Sequence, residues 1–284
     1  MTSNGHSHRL LAVFAHPDDE SFGTGGSLAL YTHRGVDVHL ICATRGEAGE
    51  APPSLNGFAS IGEMRENELR CAASVLGLKT VLFLGYRDSG MPGSPDNHHP
   101  QALAAAPVEE VARQVAVYIR KIRPQVVITF DPIGGYRHPD HIAIHQATVA
   151  AFHMAGNPSV TLDSLPPYLP QKLYYPTFSR RFLRGAVRIL RLLGRDPHHF
   201  GKNGDIDLTL LVEHDFPIHA SISIREVSRL KEQASACHAS QGGGFSGPMK
   251  WMRKLFDRNE DFMRAIPATP PRHLERDLFE GVES

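Results

Sequence analysis

Between residues 9 and 156 a short apolar run and a longer segment of helical spacing alternate four times. The apolar runs are "RLLAVFA", "VDVHLICAT", "KTVLFLGY" and "PQVVITFDP". Runs this short and this apolar suit strands covered on both faces. The partner segments are "TGGSLALYTHRG", "GEMRENELRCAASVLGL", "APVEEVARQVAVYIRKIRP" and "HPDHIAIHQATVAAFHMAG". The second places Met64, Leu69, Ala72, Ala73 and Leu76 on one helix face, and the third starts acidic and ends basic, as the helix dipole favours. Strand–helix repetition in this order predicts an α/β fold: a Rossmann-like, mostly parallel sheet with helices on both faces and right-handed crossovers. Two later strands are expected, in "QKLYYPTF" and within "IDLTLLVEHDFPIHASISI", and a further helix over "REVSRLKEQASACHASQ". Residues 1–284 read as a single domain, with no internal repeat and no linker. An Arg- and Leu-rich insertion near 179–204 reads as an amphipathic helix packed on the body, with a lid or an oligomer contact as the alternatives.

Composition removes several function classes. Thirty basic and thirty acidic residues balance, so no global field steers the chain toward nucleic acid or an anionic membrane. No stretch approaches the length of a membrane span, and the opening apolar run is too short for a secretory signal. Three widely spaced cysteines, Cys42, Cys71 and Cys237, suggest neither a disulfide framework nor a thiolate zinc site. A reducing, cytoplasmic setting fits. Seventeen histidines are the unusual count, and histidine is the commonest metal ligand.

The first strand runs into "HPDDESFGTGG", residues 16–26. In open α/β sheets ligands bind beyond the carboxyl ends of strands. Pro17 stiffens the turn, so His16 and Asp19 can address one point with Asp18 beside them. A histidine with a carboxylate suits Zn²⁺, with Fe²⁺ also compatible. A second carboxylate not spent on the metal is a candidate general base. Glu20 reads equally as a helix-start acid or as a partner behind a ligand. Gly23, Gly25 and Gly26 fail the dinucleotide pattern, because Leu28 stands where its third glycine belongs. They read as close-packing positions.

The fourth strand ends in "FDPIGGYRHPDHIAIHQA". The topology brings this second His- and Asp-rich turn to the same sheet edge as the first. His141 then supplies a third ligand, and three protein ligands with an open position are the catalytic arrangement of zinc. His138, protonated, would stabilise an oxyanion and then protonate a leaving amine. Asp140 would hold its other ring nitrogen. His145, four residues past His141, offers a rival His-x-x-x-His pair, or simply a core position.

"AHPDDE" together with "GYRHPDH" about 120 residues on resembles the PIG-L/LmbE family of metal-dependent N-acetylglucosaminyl deacetylases, which includes deacetylases and amidases of mycothiol and bacillithiol metabolism. "KEQASACHASQ" is similar to a Lys…His-x-[ST]-Gln segment near that family's C-terminal end. The resemblance implies His16, Asp19 and His141 as zinc ligands, Asp18 as general base, and His138 as electrostatic catalyst or acid backed by Asp140. It implies that Tyr136 polarises the amide carbonyl and that Arg65 and Asp88 hold sugar hydroxyls. Arg137 stands where relatives often have glycine.

The activity so implied is hydrolysis of an acetamide on an N-acetylglucosamine-type sugar or conjugate. Alternatives are an amidase acting on a larger N-acyl or cysteinyl amide, and a non-catalytic, metal-dependent sugar-binding protein. The expected partner is a small N-acetylated amino sugar or conjugate, with neither nucleic acid nor membrane; a homo-oligomer is compatible with the sequence.

Overall fold

The computed structural model describes residues 8–55, 57–177, 180–192, 194, 196–199, 207, 209, 216–243 and 258–283. The first half alternates as predicted. Strand β1 (Arg9–Phe14) leads to a short helix α1 (Asp19–Gly23) and α2 (Gly25–His33), then β2 (Asp37–Thr44), α3 (Ile61–Leu76), β3 (Thr80–Tyr86), α4 (Val108–Ile122) and β4 (Val126–Ile128). A single kinked turn, α5 (Gly134–Arg137), precedes the long α6 (Pro139–Gly156) and β5 (Lys172–Thr177). After α7 (Arg180–Leu192) come β6 (Ala220–Ser223), α8 (Ser228–Cys237) and β7 (Asn259–Ile266).

These strands form one sheet in the order β3-β2-β1-β4-β5-β7-β6. The pairings from β3 through β5 are parallel, and β7 pairs antiparallel with both β5 and β6. Alternate residues of β1 explain its all-apolar character. Leu10, Ala12 and Phe14 pack with Leu28, Leu69, Leu76 and Ala234 on one face, and Leu11 and Val13 with Val115, Ile119, Ile144 and Phe152 on the other. Burying each large apolar side chain contributes about 1.5–3 kcal/mol, so a polar residue on either face would be costly.

Strand order reverses between β1 and β4, which makes their carboxyl ends the topological switch point of the sheet. The two ends are tied directly: the Thr129 hydroxyl donates to the carbonyl of Val13 at 2.9 Å. Both His- and Asp-rich turns leave from this edge.

The C-terminal part departs from the sequence pattern. Strand β7 is not among the predicted elements: "NEDFMRAI" carries four polar or charged residues in eight positions. Its buried Glu260 explains the discrepancy: the two carboxylate oxygens accept from the N–H groups of Gly26 and Ser27, at 2.9 and 2.7 Å, and Lys231 pairs with it at 2.8 Å. The N-terminus of α2 thus holds a carboxylate of the chain itself. Gly26 is a packing position, since a Cβ there would lie 2.5 Å from Ile224.

Of the second late strand predicted, Ala220–Ser223 is the part that pairs in the sheet among the described residues; positions 206, 208 and 210–215 lie outside them. The Arg/Leu-rich insertion forms α7 over its first part, with Val187 buried and Arg184, Arg188 and Leu192 exposed. Residues 179, 193, 195 and 200–204 of that insertion lie outside the described residues. The cysteine pattern needs one correction. Cys71 of α3 and Cys237 of α8 are joined in a disulfide, because folding sets these two helices side by side across 166 residues of sequence. Cys42 is free and buried. Among the described residues no helix is long and apolar enough to cross a membrane.

Candidate metal centre

Beyond β1 the chain turns at His16–Pro17–Asp18, and Asp18 has a φ of 123°. Such a backbone is costly for a residue with a side chain and persists only where its surroundings over-determine it. Here they do. The Asp18 N–H donates to Glu20 Oε2 at 3.0 Å, its carbonyl accepts from Ser21 and Phe22 at 3.0 Å each, and its carboxylate accepts from Arg65 at 3.1 Å. The same guanidinium reaches the carbonyls of Pro17 and Gly46, each at 2.8 Å. Arg65 is therefore buried within the site wall, while its helix neighbours Glu66 and Glu68 pair elsewhere, with Arg70 and Ser240.

The second turn depends on two glycines. Gly134 and Gly135 have φ of 66° and 63°, and a Cβ on Gly134 would lie 2.9 Å from the backbone nitrogen of Ile142. Asp131 Oδ1 accepts from the N–H groups of Ile133 and Gly135, both at 3.0 Å, which holds the loop against α6. His138 caps α6: its Nδ1 accepts from the Asp140 N–H at 3.2 Å. Arg137, at the exposed lip, has a φ of 68°, the left-handed region that favours glycine.

Three donors from the two turns meet. His16 Nδ1 lies 3.2 Å from His141 Nε2, Asp19 Oδ1 lies 3.4 Å from His141 Nε2, and Asp19 Oδ2 lies 3.6 Å from His16 Nδ1. Ligands at zinc distances define a tetrahedron with edges of about 3.3 Å, and the Asp19 carboxylate meets the two imidazoles near that spacing through different oxygens, Oδ1 for His141 and Oδ2 for His16. Two imidazole nitrogens facing each other with a carboxylate also have lone pairs in excess of protons, which a shared cation satisfies. Phe130 stacks on the His141 ring, with centroids 3.8 Å apart, and fixes its plane.

Two other buried groupings hold donor atoms within 4.8 Å of one another: His16, His138 and His141, and His16, Asp88 and Asp140. Hydrogen bonding argues against both as the primary set. The Nδ1 of His138 is engaged by a backbone N–H, and Asp140 is committed to protein donors. The rival pair of His141 with His145 is also set aside, since His145 Nδ1 donates to the carbonyl of Phe130 at 2.8 Å and its ring lies against Tyr175.

Asp140 differs from its predicted place. The pattern puts its carboxylate on the ring of His138; it instead accepts from His16 Nε2 at 3.0 Å and from the Ser89 N–H at 2.9 Å, and also from the Ser89 hydroxyl. As the N2 residue of α6, its side chain projects back across the sheet edge toward β1, away from the cap residue. It orients a ligand from behind, an arrangement common to metal-bound histidines. Asp88 lies nearby, with Oδ1 3.4 Å from His16 Nε2, Oδ2 3.9 Å from Arg65, and its N–H on Glu47 at 3.0 Å.

Charge follows from this packing. Burial opposes the charged form of His16, but Asp88 and then Asp140 outweigh it and hold its pKa well above the ordinary value. Burial pushes Asp18 up to about 6 against the pull of Arg65. Asp19 is held down to about 2, because His141 and His16 overcome its burial. Burial, then the neighbouring imidazoles His16 and His141, press His138 down to about 2. The pattern predicts a protonated His138; in this environment it is neutral. Because its Nδ1 accepts a backbone N–H, its proton resides on Nε2. Tyr136, half-buried, sets its ring edge-on to His141 at 5.1 Å and to His138 at 5.9 Å.

Sequence reasoning names His16, Asp18, Asp19, Asp88, Tyr136, His138, Asp140, His141 and Arg65, and the fold brings all nine to this edge. Ser89 and His238 are absent from that set. Ser89 had a signal in its adjacency to Asp88; His238 lies in the "KEQASACHASQ" segment that the resemblance singles out, but its bond to Glu20, 218 residues away, left no trace in local spacing.

Comparison with known proteins identifies the family. The model of the PIG-L family, GlcNAc-PI de-N-acetylase, matches residues 11–152. A 1D-myo-inositol 2-acetamido-2-deoxy-alpha-D-glucopyranoside deacetylase from Thermobifida fusca (strain YX) is 43% identical over 192 residues, 64% of this chain and 66% of that protein. A protein of the same name from Acidothermus cellulolyticus (strain ATCC 43068 / DSM 8971 / 11B) is 38% identical over 291 residues, covering 96% of this chain and 95% of its own. Among solved structures, the conserved protein TT1542 from Thermus thermophilus matches with a TM-score of 0.61 at 26% identity, covering 93% of this chain and 96% of that one.

Proposed function

This chain belongs to the PIG-L family of de-N-acetylases, and on that premise we propose that it hydrolyses the acetamide of an N-acetylglucosamine joined to an inositol, using a divalent cation, Zn²⁺ in the first instance. The observation that carries this reading is the meeting of His16, Asp19 and His141 beside the free carboxylate oxygen of Asp18. Relatives that align along most of the chain are named for that substrate.

His16, Asp19 and His141 would hold the cation. What a cation supplies there is Lewis acidity toward the acetyl carbonyl and an acidified water. The remaining work falls to the chain. Asp18 takes the proton of the attacking water; burial raises its basicity, and Arg65 keeps the carboxylate aimed. His138, neutral with its proton on Nε2, donates to the developing oxyanion, and Tyr136 adds a second donor from the same turn. Donors of this kind are worth about 2.7–4 kcal/mol each in comparable sites. The proton held by Asp18 then passes to the leaving amine, giving acetate and a free amino sugar. Asp88 and the Glu47 carboxylate bonded to its N–H line the approach where sugar hydroxyls would sit.

A purely binding protein has no use for a half-buried base beside the metal, and a larger acyl or cysteinyl amide is an alternative substrate for the same chemistry. Acetate release should therefore be measured from N-acetylglucosaminyl-inositol and from larger N-acyl and cysteinyl conjugates, with and without chelator. The expected outcome is chelator-sensitive release from the acetyl substrate. Asp18→Asn should keep its metal and lose about 100- to 10,000-fold in rate. A near-normal rate in that variant, or turnover untouched by complete metal removal, would sink the mechanism.

A further inference from the structure

Outside the metal cradle, the most completely buried ionisable contact among the described residues is that between Glu20 and His238. His238 is 0% exposed and Glu20 1% exposed, and His238 Nε2 donates to Glu20 Oε1 at 2.8 Å. The other oxygen of Glu20 accepts the N–H of Asp18 at 3.0 Å, and the Ser21 hydroxyl also donates to Glu20. Glu20 therefore bridges a C-terminal imidazole to the backbone of the residue with the least favourable φ in the site. The segment that carries His238 is anchored on three further points of the N-terminal half. The N–H and hydroxyl of Ser240 donate to Glu68 of α3 at 2.9 and 2.7 Å, Gln241 Nε2 donates to the Glu50 carbonyl at 3.3 Å, and Cys237 is bonded to Cys71 of α3.

We infer that His238 is a positioning residue for catalysis: through Glu20 it locks the strained backbone of Asp18 and so aims the carboxylate at the reacting water. A φ of 123° is held only while several contacts act together, and Glu20 is the one that grips the Asp18 N–H. An unheld Glu20 would be a buried carboxylate without its strongest partner and would turn toward another donor, releasing Asp18. Displacement of a catalytic group by about 1 Å is enough to cost on the order of 100-fold in rate. The metal donors, by contrast, make no contact with His238, so metal retention should not depend on it. This inference rests on Asp18 being the base.

The test is a double-mutant cycle on the full chain loaded with Zn²⁺. His238→Ala should lower kcat by about 10- to 100-fold, with KM and metal content within about twofold of the parent. His238→Gln, which retains an N–H donor at a similar reach, should recover most of the lost rate and carries the test if the alanine variant fails to fold. In an Asp18→Asn background, His238→Ala should cost less than about twofold more, because its target is already gone. Losses that multiply in that background, a fall in metal content, or an effect confined to KM would overturn the inference. A near-normal rate for Asp18→Asn alone would instead defeat the assignment of the base, and the two failures are thereby distinguishable.

Discussion

The parallel half of the sheet and its antiparallel edge treat buried charge in opposite ways. Through Gly156, ionisable groups gather in two turns beyond β1 and β4, and the donors of His16, Asp19 and His141 face one another across 3.2–3.6 Å. From β5 onward, buried charges close on partners. Lys231 pairs with Glu260 at 2.8 Å, Lys172 with Glu275 at 3.0 Å, and the Tyr174 hydroxyl with Glu275 at 2.6 Å. A closed pair has no valence left for a ligand, whereas converging lone pairs have an unmet one. The difference separates scaffold from site more sharply than burial does, since both sets are buried.

That contrast can be broken most directly by removing one member of each set. His141→Ala should lose its metal on dialysis and cut acetate release by at least about 1000-fold, read by metal analysis and end-point assay. Lys172→Met removes one donor from buried Glu275, which keeps Arg264 and the Tyr174 hydroxyl, and should lower stability by about 1.5–3 kcal/mol in denaturant titration, with metal content unchanged per folded molecule. Metal loss in the Lys172 variant would show that the two regions are not separable.

A smaller effect sharpens the reading of Asp140. If its carboxylate serves His16, Asp140→Asn should weaken metal affinity by about 10- to 100-fold, measured by competition with a chelating dye. An unchanged affinity with a lower rate would return Asp140 to His138, as the bare motif suggests.

Smaller again is Gly26→Ala, which drives a methyl into Ile224 and should cost about 1–3 kcal/mol of stability while leaving the rate of the folded fraction unchanged.

The smallest effect concerns pH. Burial disfavours charged His238, but Glu20 first, with Asp18 and Glu68 behind it, outweighs burial and raises its pKa above the ordinary 6.5. A raised folded pKa means the stabilisation is present below the unfolded value and fades as pH rises through the folded one. The melting-temperature gap between the parent and His238→Gln should be full just below about pH 6.5 and narrow as the pH rises above it. A gap that grows with pH would mean that His238 is not charged in the fold.

The legible part of the molecule is the part in which neighbours in sequence act together. Short, largely apolar runs announced β1 to β3, and helical spacing announced α3, α4 and α6, because packing against the core leaves its period in the chain. The two His- and Asp-rich turns were legible because Pro17, Gly134 and Gly135 punctuate them. What was illegible depended on pairs far apart. β7 reads as polar because Glu260 serves the N-terminus of α2, 234 positions away. The Cys71–Cys237 bond and the Glu20–His238 contact span 166 and 218 positions. The partner of Asp140 was misread because adjacency favours His138, whereas the helix aims the side chain at β1.

By itself, then, the amino-acid order determined the layered α/β architecture, the sheet edge at which chemistry gathers and the residue types brought there. Period and turn chemistry are local and survive in one dimension. The tertiary structure alone decided which nitrogen of His16 faces His141 and Asp19, which tautomer His138 holds, and which distant residues brace Asp18. Those are matters of direction and distance between segments, and they exist only once the chain has closed on itself.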